Sequence, residues 1–526
     1  MAALPPIVAA MMRPEFYPER PRRVELIQTH ISCVFIAGDF VYKLKKAVHF
    51  SFLDCTDIAT RRHLCDEEIR LNRRLAPDVY LGRFPIVRRG EDFVLGKLSE
   101  EPHDAADYVI KMRRLPADAI LDKRLARHEV DVATIHALAD VIVKFFRTAS
   151  SAHATKYAMA SSLWRLVIGE LMDAEALVGD TITSDQLAVI DKFCRGFLTS
   201  HWQLLNARAH NGFVREGHGD LRCEHICIEG AKISIFDCVE FSEKLRTCDI
   251  ASEIAFLTMD LDRLGAPELG DELVAVIAEA TADTDLARLI PFYQCYRAVI
   301  RGVVETLRSR EAEVGERERA GARELARTCF QLASGYATAA TPAILVVCGL
   351  SGSGKSTVAK ALHHRLGFPI ISSDLMRKKL EAIPADENAA DAYRAGIYSM
   401  PHIDKTYAAM FEEAKHTLGE GVGVILDATF QFRAHRERAR QLAEQMKTPI
   451  LFLECCAEDG EIRRRLIERQ RKEHNPSDAT VEVYLRQLNE FVALAEIPAS
   501  QHLAVDTTRP RAEIVAEVQR ALRGSN

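Results

Sequence analysis

The chain has 526 residues, of which 48% are hydrophobic and 27% charged, and its formal net charge is −6 at neutral pH. This length excludes a small disulfide-stapled module and predicts two or more globular domains. The nearly balanced charge gives no global basic field, so a nucleic-acid partner is possible but not favoured, since it would need a local basic patch.

Cysteine usage and the N-terminal residues bear on location. The thirteen cysteines lack paired metal-ligand spacing, which predicts a reducing, cytoplasmic environment. Cys223, His225 and Cys227 alternate, but alternate residues on a short strand more often simply share a face. Pro5 and Pro6 interrupt a start that has no basic region, so no signal peptide is expected. No apolar run approaches membrane-spanning length, and no membrane partner is expected.

The first predicted elements are two strands in residues 31–50, joined at the turn pair Gly38-Asp39. Lys43 and Lys45 lie two residues apart on the second strand and therefore share a face. A lysine on such a hairpin could contact phosphates. Lysines also commonly protect exposed sheet edges, and from these residues alone an edge strand is the favoured interpretation.

A charge-rich helix is predicted next, from about Ala59 to Leu75, and it carries Glu68. A second hairpin around Gly90 and an apolar strand ending near Pro116 follow. From about Leu121 the pattern is helical for most of two hundred residues. A β-rich part followed by a helical part suggests two lobes.

One polar island, residues 211–249, interrupts the helical region. It contains two short predicted strands around Gly230, with Asp220 before them and Asp237 after them. Asp220 could orient or deprotonate a hydroxyl, and Asp237 could hold Mg²⁺ against phosphates. Carboxylates are also common in turns, which is the alternative.

The segment HGDLRCEHI followed by IFDCVEF resembles the catalytic loop and metal-binding segment of the aminoglycoside phosphotransferase family, whose fold is similar to that of protein kinases. The resemblance covers about residues 25–310. It implies that Asp220 is the catalytic aspartate, that Asp237 binds Mg²⁺, and that Asp249 is the later structural aspartate.

The same resemblance assigns the upper lobe. It implies a phosphate-binding lysine, either Lys43 or, less favoured, Lys45, with Glu68 as its partner on the helix. The strand that ends at Met112 and Arg113 resembles the hinge beside adenine.

One position departs from the family pattern. The family usually has Asn five residues after the catalytic aspartate as a ligand of the second metal, and His225 stands there. Imidazole is a poorer ligand for hard cations and prefers softer metals. A competent kinase is favoured for this domain, and a nucleotide-binding pseudokinase is the alternative.

The second half opens with AILVVCGLSGSGKST, a predicted strand at 344–347 followed by a glycine-rich turn and a helix start. The glycines let consecutive N–H groups point at a phosphate, Lys355 would reach the β- and γ-phosphates, and Ser356 would hold Mg²⁺. The residues predicted to bind the nucleotide are Gly349, Ser351, Gly352, Ser353, Gly354, Lys355, Ser356 and Thr357. The predicted domain boundary lies between 335 and 336, which gives a kinase-like domain over 1–335 and a P-loop domain over 336–526.

Four later apolar segments, PIISSD, GVGVILDATF, PILFLECC and HLAVDT, alternate with helical stretches and predict a parallel sheet. The second ends in Asp427, which is placed to act near Mg²⁺, although strand ends often carry Asp as a helix cap. Asp374 is the last residue of the first segment, PIISSD, and Arg377 lies three residues later. Asp374 could accept the proton of an acceptor hydroxyl and Arg377 could bind an acceptor phosphate; a capping Asp with a solvated Arg is the alternative.

An arginine-rich helix, EIRRRLIERQRKEHNPSDAT, predicts a mobile lid that closes over the phosphates, with a solvated charged helix as the alternative. Its arginines are Arg463, Arg464, Arg465, Arg469 and Arg471, and a polar break follows at Asn475, Pro476 and Ser477. Arg469 is predicted to contact the nucleotide.

This half resembles the small P-loop kinases of the zeta-toxin, gluconate-kinase and polynucleotide 5′-kinase type, and the tandem resembles bacterial bifunctional aminoglycoside phosphotransferase/ATP-binding proteins. The resemblance implies an α/β and α+β chain that uses ATP and Mg²⁺ to phosphorylate a hydroxyl of a small-molecule or nucleotide acceptor, with two ATP sites. The first alternative is a P-loop kinase regulated by an inactive kinase-like domain. A weaker alternative is a nucleic-acid-acting ATPase or 5′-kinase.

Overall fold

The computed structural model describes residues 4–29, 31–50, 53–311, 314–381, 400–470 and 480–524. The chain divides into two compact units, one of Met1–Leu163 and Leu205–Leu264, the other of Trp164–Leu204 and Gly265–Asn526. The units alternate along the chain, and the boundary between 335 and 336 remains a prediction. The predicted mixed fold class, with an antiparallel sheet first and a parallel sheet later, is confirmed.

The strands are numbered in chain order. They are β1 (Val24–Gln28), β2 (Ser32–Ala37), β3 (Phe40–Lys45), β4 (His49–Phe50), β5 (Leu53–Asp54), β6 (Tyr80–Arg89), β7 (Asp92–Leu95), β8 (Ala105–Arg113), β9 (Val214–Glu216), β10 (Ile226–Glu229), β11 (Lys232–Ile235), β12 (Thr247–Asp249), β13 (Ile344–Cys348), β14 (Ile370–Ser372), β15 (Val424–Asp427), β16 (Ile450–Cys456) and β17 (His502–Asp506).

The helices follow the same convention. They are α1 (Pro6–Met11), α2 (Ile58–Asn72), α3 (Leu121–Ala126), α4 (Val132–Thr148), α5 (Ala154–Tyr157), α6 (Ala160–Glu175), α7 (Ser184–Ser200), α8 (Trp202–His210), α9 (Glu243–Arg246), α10 (Ile250–Arg263), α11 (Pro267–Thr281), α12 (Leu286–Arg310), α13 (Glu316–Ala339), α14 (Lys355–Leu366), α15 (Ser373–Leu380), α16 (Met400–Gly419), α17 (Arg433–Met446), α18 (Asp459–Gln470), α19 (Val481–Glu490) and α20 (Arg511–Gly524).

The first unit contains a six-stranded antiparallel sheet in the order β1-β2-β3-β8-β6-β7. Gly38 has a φ of 66° at the β2–β3 turn, a conformation that glycine adopts without a steric penalty. Because β3 lies between β2 and β8, it is an interior strand. The edge-strand interpretation of its lysines is therefore wrong, since the neighbouring strand β8 comes from more than sixty positions later and leaves no local signal.

Helix α2 lies against this sheet and brings its buried face to the centre of the unit. Asp57 caps its first turn by accepting a hydrogen bond from the Thr60 N–H at 3.0 Å. Cys65 and Ile69 pack with Ile110 of β8. The same buried face carries Glu68, so burial of the apolar neighbours places this carboxylate under the sheet.

The polar island forms the predicted hairpin, in which β10 pairs with β11 in antiparallel register. Asp249 caps α10 and accepts two hydrogen bonds from the buried Arg208 guanidinium, at 2.7 and 2.8 Å. This buried bidentate pair ties the start of α10 to α8, as expected if Asp249 has a structural role.

The second unit contains a five-stranded parallel sheet in the order β14-β15-β13-β16-β17. Alternate residues of β13 enter different cores: Ile344 and Val346 one, Leu345 and Val347 the other. Burial on both faces explains the continuous apolar runs in the sequence. Within the described residues, no helix is both long and apolar enough to cross a membrane.

Candidate functional site

The first candidate site is built around Lys43. Its Nζ lies 2.8 Å from Glu68 Oε1 and 2.7 Å from Asp237 Oδ1. Burial alone would lower the pKa of Lys43, but Asp237 and Glu68 overcome this effect and raise the pKa well above its ordinary value. The structure thus joins β3, α2 and the segment after β11 through one ammonium group.

Lys45 has a different set of partners. Its Nζ lies 2.7 Å from Glu68 Oε2 and also bonds Glu240, and the residue is 2% exposed. Only Lys43 reaches Asp237, so the geometry favours Lys43 over Lys45 as the lysine of this site. Sequence reasoning missed Glu240. Its signal is an acidic residue three positions after Asp237 on an otherwise apolar segment.

Asp220 is held by a neighbour that the sequence analysis did not single out. Arg222 Nε donates to Asp220 Oδ1 at 2.7 Å and Arg222 Nη2 to Oδ2 at 2.8 Å, and the same guanidinium bonds Glu224. Burial alone would lower the pKa of Arg222, but Asp220 overcomes this effect and raises it. The bidentate pair fixes the plane of the Asp220 carboxylate.

His225 stands between the two aspartates. Its Nδ1 lies 2.8 Å from the Asp220 carbonyl oxygen, a contact in which the Nδ1–H donates, and its Nε2 is 3.6 Å from Asp237 Oδ2. In that tautomer the Nε2 lone pair faces Asp237. A metal-binding role for His225 remains a prediction.

Asp237 itself has a left-handed backbone, with a φ of 64°. Burial would raise its pKa, but Lys43 overcomes this effect and lowers it below the ordinary value. Among the residues described, no group of three or more His, Cys, Asp and Glu side chains is arranged to hold a metal ion. A cation here would need phosphate oxygens to complete its coordination, which is how Mg²⁺ is usually held at nucleotide sites.

The predicted hinge residues lie at the end of β8. Met112 packs beside the α2 core, and Arg113 donates to both carboxylate oxygens of Glu229, at 3.0 and 2.6 Å. Arg113 therefore ties the end of β8 to the β10–β11 hairpin.

The second candidate site is the glycine-rich loop after β13. Gly349, Gly352 and Gly354 have φ values of 130°, 80° and 92°. A Cβ at Gly349 would lie 2.5 Å from the Cys455 carbonyl oxygen, and one at Gly354 would lie 2.9 Å from Thr507. The loop therefore needs glycine both for its backbone conformation and for space.

Two hydrogen bonds to carbonyl groups of the loop fix its conformation. Lys355 Nζ donates to the Leu350 carbonyl at 2.8 Å, and Thr507 Oγ1 donates to the Ser353 carbonyl at 2.7 Å. The Ser353 hydroxyl is buried and has no hydrogen-bond partner in the part of the chain that the structure describes. An orphaned hydroxyl inside a glycine cradle at the start of α14 fits an anionic phosphate.

Asp427 brings the other predicted residues together. Burial raises its pKa, and the nearby charge of Asp374 adds to this rise. The charges of Lys355 and Arg469 and a hydrogen bond from Ser356 act in the opposite direction. The parallel sheet explains this meeting, because β13, β14 and β15 end at the same edge. Thr357 follows Ser356 in the first turn of α14.

The predicted acceptor pair lies at the start of α15. Arg377 Nη1 is 3.1 Å from Asp374 Oδ1; the Asp374 side chain is 39% exposed and that of Arg377 12%. The Asp374 carboxylate is therefore accessible to solvent, whereas the Arg377 side chain is largely covered. The capping alternative is not what the geometry shows, since the N-cap residue is Ser372.

The lid arginines divide into two groups. Arg463 and Arg464 pair with acidic residues of α18 itself, as a solvated face would. Arg465 also pairs with Glu461 of α18, at 2.6 Å, but its two Nη atoms donate to the Thr507 hydroxyl at 2.9 Å and to the Thr507 carbonyl at 3.1 Å. Arg471 and the polar break at 475–477 lie outside the described residues.

A cavity of about 470 Å³ adjoins the loop. It is lined by Gly354, Lys355 and Ser356 on one side, by Arg465 and Arg469 of α18 on another, and by residues 507–514. Arg469, predicted at the nucleotide, thus borders it. Sequence reasoning missed Gln487 of α19, whose Oε1 accepts a hydrogen bond from the Ser351 N–H at 2.9 Å; a lone Gln on an amphipathic helix carries no signal of this kind.

Parts of the chain are similar to known proteins. Residues 344–494 match a protein family described as an AAA domain. An uncharacterized protein of Mycobacterium tuberculosis is 29% identical over 500 residues, which span 94% of each chain. A gluconokinase of Gluconobacter oxydans is 29% identical over 131 residues, 24% of this chain and 66% of that enzyme. Among solved structures, a choline/ethanolamine kinase family protein from Mesorhizobium loti, 12% identical, has a TM-score of 0.38 and covers 63% of this chain and 98% of its own.

Proposed function

We propose that the chain is an ATP-dependent phosphotransferase with two nucleotide sites, each of which transfers the γ-phosphoryl group of ATP to a hydroxyl of a small-molecule or nucleotide acceptor. The P-loop site is the better supported of the two. The observation that carries this proposal is that Asp427, at the end of β15, accepts a hydrogen bond from Ser356 at the start of α14 and lies beside Ser372, the end of the strand that leads into Asp374. The thirteen free cysteines support a reducing, cytoplasmic setting.

In the P-loop site, the loop N–H groups and Lys355 bind the phosphates, and the 470 Å³ cavity receives the nucleoside. Ser356 and Asp427 would hold Mg²⁺, which supplies charge neutralisation at the phosphates when bound. Asp374 accepts the proton of the acceptor hydroxyl. Arg377 holds Asp374 and offers a cation to an anionic group on the acceptor.

In the kinase-like site, Lys43 binds phosphates while Glu68 positions it, and Asp237 with His225 would hold Mg²⁺. Asp220 orients the acceptor hydroxyl, and Arg222 fixes the carboxylate in place. Catalysis at both sites rests mainly on positioning and on charge stabilisation.

A second candidate function is regulatory. Asp220 is already engaged by Arg222 through both of its oxygens, and His225 replaces the expected asparagine. These features favour a kinase-like domain that binds nucleotide without transferring phosphate and controls the P-loop site.

A screen of metabolite hydroxyls with the full chain, ATP and Mg²⁺ tests the proposal. We expect one acceptor class to gain a phosphoryl group, detected by mass spectrometry. Asp374→Asn should slow this product by about a hundredfold or more, the usual contribution of a general base. Asp185→Asn, an exposed aspartate at the start of α7, is the matched control and should leave the rate unchanged.

Two results would count against the proposal: no phosphorylated product from any acceptor, or full activity in Asp374→Asn. Affinity for RNA or DNA that falls steeply with salt would instead favour the nucleic-acid alternative.

A further inference from the structure

A second cavity, of about 500 Å³, lies in the second unit, at the amino-terminal edge of the parallel sheet and away from the glycine-rich loop. Helices α7 and α12 and the end of α13 form one side of it. The other side consists of residues 366–368, which follow α14, and residues 420–423, which precede β15. Its volume lies in the range of small-molecule sites.

One wall of this cavity is aromatic. The Phe197 ring stacks on the His201 ring with centroids 4.0 Å apart and planes at 4°. On its other side Phe197 stacks on Phe292, at 4.3 Å and 5°. Three flat rings, from α7, the residue after it and α12, therefore form a continuous stack. The rings are almost wholly buried, with Phe197 9%, His201 4% and Phe292 0% exposed, so the stack makes this wall apolar and rigid.

The polar groups of the cavity carry an excess of positive charge. Arg288 Nε donates to His201 Nε2 at 2.9 Å, and the His201 Nδ1–H is left to donate to the Phe197 carbonyl at 3.1 Å, so the imidazole is neutral. Burial and the charge of Arg288 lower the pKa of His201 to about 4, which agrees with that assignment. The lining therefore contains two cations, Arg288 and Lys192, and one carboxylate, Glu420. The Glu420 Oε2 lies 3.6 Å from Arg288 Nη2.

The floor of the cavity is closely packed. A Cβ at Gly367 would lie 2.8 Å from the Ala287 carbonyl oxygen, and one at Gly423 would lie 2.4 Å from the Phe368 ring. Glycine at these two positions therefore lets residue 367 pack directly on α12 and residue 423 pack directly on Phe368.

We propose that this cavity is a binding site for a small planar aromatic anion, whose rings pack in the aromatic cavity and whose carboxylate or sulfonate contacts Arg288 and Lys192. The excess of positive charge argues for an anion, and the volume of about 500 Å³ with its aromatic lining argues for a small aromatic molecule over a peptide. The site is independent of the phosphotransferase proposal. Part of its wall is nonetheless formed where α14 ends and just before β15 begins. The opposite ends of these two elements carry Lys355 and Asp427 of the P-loop site.

Anilinonaphthalene sulfonate is a suitable probe, because it is a planar aromatic anion that fluoresces in apolar surroundings. We expect one saturable site per folded full-length chain. Gly196 lines the cavity, and a Cβ there meets nothing within 4 Å. Gly196→Leu should therefore fill the cavity without a clash and weaken binding by about tenfold or more. Gly169→Leu adds the same side chain to α6, where the space is equally open, and should bind as the unchanged protein does.

The charge of the ligand is tested separately. Lys192→Met changes an exposed residue and should weaken the sulfonate probe by about threefold to tenfold, while leaving the neutral analogue N-phenylnaphthylamine unaffected. The proposal is overturned if fluorescence does not saturate or if Gly196→Leu binds as tightly as Gly169→Leu. Equal effects of Lys192→Met on both probes would overturn the anionic assignment.

Discussion

Two lysines on the same face of β3 have different partners, although the sequence could not separate them. Lys43 bridges Glu68 and Asp237, whereas Lys45 bridges Glu68 and Glu240 in the interior. The difference arises from contacts with residues some two hundred positions away. Lys43 thus belongs to the proposed nucleotide site, and Lys45 stabilises the carboxylates behind it.

These different partners predict different losses of stability and activity for two matched substitutions. Lys45→Met leaves Glu240 buried without its cation and should cost about 3–5 kcal/mol of unfolding free energy. Lys43→Met should cost less, because Lys45 still neutralises Glu68, but it should abolish any Asp220-dependent phosphotransfer. Urea titrations and transfer assays on both variants check this; equal loss of stability in the two would contradict it.

The loop glycines allow a second residue-scale prediction. Gly354→Ala places a Cβ 2.9 Å from Thr507 at a φ of 92°, so the loop must shift. We expect ATP affinity at the P-loop site to fall by about tenfold or more, with a stability cost of about 1–3 kcal/mol. Gly460→Ala, at an open position in α18, is the control. Calorimetric ATP binding that Gly354→Ala leaves intact would contradict the phosphate-cradle role.

At the scale of elements, α18 and α19 are built onto the loop. Arg465 of α18 reaches it through Thr507, and Gln487 of α19 accepts from the Ser351 N–H. These two helices flank the residues 471–479 that the structure does not describe. The structure therefore describes the two helices that would anchor the predicted lid. The lid itself and its closure remain predictions.

Removing the α19 anchor should weaken nucleotide binding. Gln487→Leu leaves the buried Ser351 N–H without an acceptor, which costs about 1–3 kcal/mol. We expect ATP affinity to fall by about fivefold to tenfold, and the neighbouring exposed position, Leu488→Ala, to have no such effect. An unchanged dissociation constant in Gln487→Leu would show that α19 merely packs beside the loop.

Local sequence patterns predicted most elements because their signals are short-range. Glycine turns marked the hairpins at Gly38, Gly90 and Gly230, and apolar runs marked the parallel strands. The interior position of β3 and the Gln487 anchor depend on distant contacts, which leave no local signal. The Arg222 clamp on Asp220 is local, but it depends on side-chain conformations that the sequence pattern does not specify. The predicted residues of the P-loop site converged because strand ends of a parallel sheet share one edge.

At the scale of the whole molecule, buried histidines set the response to acid. Burial lowers the pKa of His201 and of His218 to about 4, against about 6.5 when unfolded. Between these values the unfolded chain binds more protons, so unfolding free energy rises with pH and falls on acidification. Glu170 acts in the opposite sense, because burial and Asp173 raise its pKa to about 7.

We therefore expect a fall in unfolding free energy from pH 7 to pH 5, with at most about 2 kcal/mol from each histidine and an offset of similar size from Glu170. Glu170→Gln removes the offset, so its loss between the two pH values should be larger than that of the unchanged chain. Urea unfolding at both pH values measures this. An equal or smaller loss in Glu170→Gln would show that the sign of the Glu170 contribution is wrong.

The central claim is that one chain contains two phosphoryl-transfer sites. The most direct measurement is ATP turnover and γ-phosphoryl transfer by Asp220→Asn, by Lys355→Ala and by the double variant, each checked for folding by its thermal transition. Two sites predict that each single variant keeps the part of the activity that the other loses, and that the double variant has none. If Lys355→Ala alone abolishes all turnover while Asp220→Asn removes nothing, the kinase-like site does not transfer phosphate and the claim is wrong.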